Sequence, residues 1–180
     1  MASADHLIDA VATHGPEIEA RDLAFGLRTV GVLVAWGVDI ERALGLADRV
    51  QALVGADQGD AHRLMRIARG GLLHWAARPL DAAVDLQAAW PPADAAHEAG
   101  TRVTLANQLM RVRHALGDLP GALDQGRRLL VEAAALDLGE LVVTDVMHVL
   151  AMVEVASGQA DTGMARWAEV QRRLQQAGLF

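Results

Sequence analysis

Four polar side chains are spaced so that a helix would carry them on one stripe. Thr104, Asn107, Arg111 and His114 stand at i, i+3, i+7 and i+10, which share one helical face. The opposite side of the same segment holds Val103, Ala106, Leu109 and Met110. Arginine and asparagine aimed together suit a carboxylate or a peptide backbone, because a guanidinium offers a forked pair of donors. The plainer reading of the stripe is an ordinary solvated helix face.

Histidines are the other groups with chemical potential. His74 and His114 lie 40 residues apart, a spacing that gains meaning from the repeat described below. They could line a groove or, with His148, hold a metal; the alternative is a ring that packs near a helix end while its tip stays wet. The acid pairs Asp81 with Asp85 and Asp57 with Asp60 read as solvated faces or helix N-terminal residues, where the helix dipole favours negative charge. Signatures of catalysis are missing from the sequence: it has no Gly-rich phosphate loop after a strand, no His-Glu pair with a second histidine four residues on, and no serine elbow. The expectation is that the protein is not an enzyme and uses no cofactor or metal.

Composition narrows the partners. The basic residues are 16 arginines and no lysine against 23 acids, for a net charge of −7. That balance argues against a non-specific nucleic-acid binder, which needs a basic face to neutralise phosphates. With no cysteine, disulfides and thiolate metal sites are excluded, and the chain is compatible with a reducing cytosol. The N-terminal residues carry acids where a secretory signal would be basic. The most apolar run, Val30 to Val38, is about half of a membrane span. A soluble, cytoplasmic protein without membrane contact is expected.

The elements that would position the polar stripe follow from an internal repeat. Aligning the small residue after each turn gives Ala43, Ala82, Ala122 and Gly163, spaced 39, 40 and 41 apart. Twelve residues before each stand Gly31, Gly70, Met110 and Ala151; seven after each stand Val50, Ala89, Leu129 and Val170. Two antiparallel helices approach closely only where side chains are small, so Gly31 is expected to face Ala43, and Ala151 to face Gly163. The tryptophans keep the register: Trp36 and Trp75 are 39 apart, with Ala115 and Ala156 in the later slots. Turn and capping residues separate the helices at Gly37-Val38-Asp39, Arg78-Pro79, Gly117 to Pro120 and Gly158 to Asp161.

This pattern predicts an all-α single domain over 1–180, with repeats at about 17–55, 56–92, 93–137 and 138–180. First helices are expected near 17–36, 60–76, 94–116 and 140–157, with partners near 40–54, 80–90, 120–136 and 161–177. A short N-terminal helix is expected near 4–14. The repeat also puts His74 and His114 in one slot of adjacent units.

The segments ALGDLPGALDQGRRLL at 115–130 and ASGQADTGMARWAEV at 156–170 resemble the tetratricopeptide repeat (TPR) family. Its helical hairpins show a small residue midway along the first helix, a glycine before the turn and a small residue early in the second. Trp167 sits in the large-residue slot. The chain departs from the family in its period, 39 to 41 instead of about 34, and in lacking the proline that usually ends the second helix. Such long repeats are similar to TPR-like arrays in bacterial regulatory and signalling proteins.

The resemblance implies an α-solenoid of about four antiparallel hairpins whose first helices line a concave face. Carried onto this chain, that face includes Phe25, Arg28, Val32 and Ala35; Leu64, Ile67, Gly71 and His74; Thr104, Asn107, Arg111 and His114; and Asp145, His148, Met152 and Val155. The polar members expected to bind a protein or peptide are Arg28, His74, Thr104, Asn107, Arg111, His114, Asp145 and His148. A second expectation is a small-molecule sensor using the apolar part of the same groove. The terminal helix reads as a polar cap, with Arg166, Glu169, Arg172 and Arg173, and a homodimer through this repeat is the other association considered.

Overall fold

In a computed structural model, the structure describes residues 9–10, 13, 18–20, 22–24, 26–27, 39–54, 59–90 and 99–178. Every regular element among them is helical: α1 Ile40–Val54, α2 Gly59–Trp75, α3 Pro79–Ala88, α4 Ala99–Ala115, α5 Leu119–Ala135, α6 Glu140–Ala156 and α7 Ala160–Gln176. None of these helices is long and apolar enough to cross a membrane. Before residue 39 only scattered residues of the expected helices are described, and Arg28 and the Gly31 to Ala43 contact lie outside them.

The chain divides into two units, Met1–Trp90 and Pro91–Phe180. The division falls at Pro91-Pro92, where the repeat predicts a boundary. In the first unit α1 packs on α2 and α2 on α3. Asp39 starts α1 by accepting from the Glu41 N–H at 2.9 Å and the Arg42 N–H at 3.4 Å, a side-chain N-cap. Ala43, Leu46, Ala47 and Val50 of α1 are buried, as are Met65, Ile67, Leu72 and Leu73 of α2. In the second unit, α4, α5, α6 and α7 pack each on the next, and α4 also touches α6. Its core joins Met110, Ala122, Val149, Leu150 and Val153 to Val103, Ala106, Leu129, Ala133 and Val146.

The small-residue register is visible as close backbone approach. A Cβ at Gly163 would lie 2.7 Å from the Ala151 carbonyl oxygen and 2.6 Å from Val155 Cγ2, so α6 and α7 meet at the Ala151–Gly163 pair. A Cβ at Gly70 would lie 2.7 Å from Leu86 and 3.5 Å from the Ala82 carbonyl. The slot where the pattern breaks, Met110, is accommodated from the other side. Gly126 of α5 stands opposite, and a Cβ there would come within 2.5 Å of Met110 Sδ.

Three turns share one construction. Gly117 and Gly158 adopt φ of 80° and 82°, and the equivalent residue in the first unit, Ala77, adopts φ of 56°. Left-handed backbone closes a helix C-terminus by letting the next N–H groups reach back. Here the Arg78, Asp118 and Gln159 N–H groups donate to the carbonyls of Leu73, Arg113 and Glu154 at 2.9, 3.0 and 2.9 Å. Pro79 then opens α3, where a missing N–H costs nothing. Asp118 caps α5 by accepting from the Gly121 N–H at 3.1 Å.

Candidate functional site

Asn107 and Arg111 are one turn apart on α4, so both reach the same point on α6. Asn107 Nδ2 donates to Asp145 Oδ2 at 2.6 Å, and Arg111 Nη2 donates to Asp145 Oδ1 at 2.6 Å. Exposure grades outward across the cluster. Asn107 is 3% exposed, while the side chains of Arg111 and Asp145 are 22% and 53% exposed. Asn107 is therefore an internal brace, and the ion pair is what solvent meets. Asn107 Oδ1 is a buried acceptor with no hydrogen-bond partner among the described residues.

One turn after Asp145, His148 tilts against the indole of Trp167 on α7, with ring centroids 6.1 Å apart. Partial burial holds the imidazole below its ordinary pKa, and the Arg111 guanidinium pushes it the same way, while Asp145 pulls it back. The ring is held toward its neutral form, able to accept and to donate. Asn107, Arg111, Asp145 and His148 thus form one constellation on two neighbouring helices.

The remaining predicted residues sit differently. Thr104 is half-buried one turn before Asn107, and His114 is half-buried at the end of α4. His74 belongs to the first unit, edge-on to Trp75 at 5.9 Å. Arg28 lies outside the described residues. The stripe on α4 is not uniformly solvated: it enters the core at Asn107. Among the described residues no three His, Cys, Asp or Glu side chains are grouped to hold a metal.

The reading of Asp85 as a solvated acid needs correction. Asp81 is exposed, but Asp85 is buried, and it accepts from Arg66 Nη1 at 3.2 Å and Arg69 Nη1 at 2.5 Å. Arg69 also reaches Asp48 of α1 at 3.4 Å, tying α1, α2 and α3 together. Arg166, expected on a polar cap, instead makes two bonds to buried Glu154. These side chains occupy a shared slot, three residues after Ala82, Ala122 and Gly163. Asp85 reaches back to α2, Gln125 donates to the Ala106 carbonyl of α4 at 2.7 Å, and Arg166 reaches α6. In α1 the slot holds buried Leu46. A polar residue at an inward-facing repeat position was the available signal. Each brace satisfies a group whose burial alone would be costly.

No protein-family model matches the chain, and no curated protein or solved structure shows significant similarity to it.

Proposed function

We propose that the chain is a protein- or peptide-binding module of a bacterial regulatory assembly in the cytoplasm, built as a TPR-like solenoid of antiparallel helix pairs. Its binding surface is the face of the first helices, centred in the second unit on Arg111, Asp145 and His148. The observation that carries this reading is the Asn107–Asp145–Arg111 bridge. A buried amide fixes an ion pair at the surface, so both signs of charge and a neutral imidazole are presented in a set geometry before any partner arrives. Preorganised polar groups lower the entropic cost of recognition. The contact of α4 with α6 supports the reading, since first helices of adjacent pairs are neighbours in such arrays.

The internal carboxylate refines what the surface would recognise. One donor each from Arg111 and Asn107 is spent on Asp145, leaving the outer guanidinium N–H groups and the free lone pairs of Asp145 for a partner. A ligand with both donors and acceptors, such as a polar peptide segment, fits that set. Selection from a displayed peptide library, followed by titration of the selected peptides, tests it. Asp145→Asn keeps the shape and removes the charge, and it should weaken the selected peptides at least about tenfold while leaving the melting temperature close to wild type. Unchanged affinity in this variant, or strong stabilisation by a small molecule with no peptide selected, would overturn the proposal.

A further inference from the structure

At the slots two before and two after its small residue, the outer face of α3 differs from the other described second helices. Leu80 and Val84 are 70% and 64% exposed. Their repeat equivalents, also exposed, are Glu41 and Gly45 in α1, Pro120 and Asp124 in α5, and Asp161 and Ala165 in α7. Just before the turn into α3, Trp75 is 52% exposed where the two later pairs carry Ala115 and Ala156. The inner face of α3 is already packed, with Ala82, Leu86 and Ala89 buried around the braced Asp85. With its other face already packed, the adjacent exposed apolar side chains of Leu80 and Val84, one turn apart, mark an interaction site.

The charges beside this face indicate what covers it. The chain carries a net charge of −7, so two copies repel over most of their surface. At the start of α3, however, Arg78 and Asp81 stand side by side, bonded at 2.8 Å and each about half exposed. The patch is neutral and contains both members of an ion pair. A two-fold contact requires a patch to be its own complement. An axis beside Leu80 sets that residue against its own copy and Arg78 of each chain opposite Asp81 of the other.

We infer that this face of α3 is the contact surface of a two-fold homodimer, distinct from the terminal helix. The face is small, so association belongs at the weak end of the range for specific interfaces. Sedimentation equilibrium of the full chain, carried to high micromolar concentration, should show reversible dimers. Leu80→Glu or Val84→Glu should raise the dissociation constant at least about tenfold with helical circular dichroism unchanged, since both side chains are exposed. Arg78→Asp should weaken the dimer, and the swap Arg78→Asp with Asp81→Arg should restore it. The chain has no cysteine, so Leu80→Cys reports the axis by forming a disulfide-linked dimer, while Ala165→Cys on α7 should stay uncrosslinked. A monomer throughout the concentration range, a dimer indifferent to Leu80→Glu and Val84→Glu, or crosslinking through Ala165→Cys instead of Leu80→Cys would overturn the inference.

Discussion

Arg166 closes on Glu154 with two bonds of 2.8 Å, Nε to Oε2 and Nη2 to Oε1, around a carboxylate that is 1% exposed. The pair joins α6 to α7 at the level of the turn. Glu154 also holds the turn through its backbone, because its carbonyl accepts the Gln159 N–H at 2.9 Å. Removing one partner leaves the other as a buried, uncompensated charge, which costs about 3–5 kcal/mol. Arg166→Ala should therefore lower unfolding stability by roughly that amount, at the lower end because the guanidinium is partly exposed. Replacing both residues, Glu154→Leu with Arg166→Met, should recover most of the loss. Urea titration of the single and double variants measures this, and additive losses would contradict the assignment.

Ala77 occupies a backbone conformation that its repeat equivalents give to glycine. Its φ of 56° lies beside 80° at Gly117 and 82° at Gly158. A Cβ in the left-handed region costs roughly 1–2 kcal/mol, offset in part by the greater freedom of glycine when unfolded. Ala77→Gly should therefore stabilise the first unit by about 0.5–1 kcal/mol, a small rise in its thermal midpoint. A lower midpoint would mean that the turn differs from those at Gly117 and Gly158.

The register of small residues makes a paired forecast. Gly163 faces backbone, since an added Cβ would lie 2.7 Å from the Ala151 carbonyl oxygen and 3.2 Å from the Val155 nitrogen. Because α6 cannot yield there without moving, Gly163→Ala should cost about 1–3 kcal/mol. Gly45 lies within α1 and has nothing within 4 Å of an added Cβ. Gly45→Ala should stabilise by about 0.5–1 kcal/mol. Thermal melts of the two variants should move in opposite directions.

The elements were legible because two short-range rules decide them. Small residues at 43, 82, 122 and 163 locate the helices, and glycine or proline at the turns ends them, so α1 and α6 begin at the expected residue and α3, α5 and α7 within one. What the sequence hid depends on what a side chain meets across space. Asp85 and Arg166 look like surface charges until α2 and α6 supply their partners. Asn107 belongs to a polar stripe by spacing, yet the approach of α6 buries it. Periodicity told which residues share a face but not that Asp145, 38 residues after Asn107, would occupy the donors aimed from that face.

His148 provides a pH-dependent readout of the Asp145 cluster. Partial burial and the Arg111 charge lower its pKa, and Asp145 raises it. In the unfolded chain the imidazole titrates near its usual 6.5. The folded protein thus takes up its proton only at lower pH. Above 6.5 the neutral ring carries no penalty. As pH falls from there through the lowered folded value, the unfolded state binds the proton first and stability declines. Arg111→Ala removes a repelling cation and leaves Asp145 unneutralised, so the His148 midpoint should rise. Asp145→Asn removes the attracting charge and should lower it further. Proton-carbon NMR titration of the imidazole resonances separates the two cases, and an unchanged midpoint in both variants would mean that burial against Trp167 alone governs the histidine.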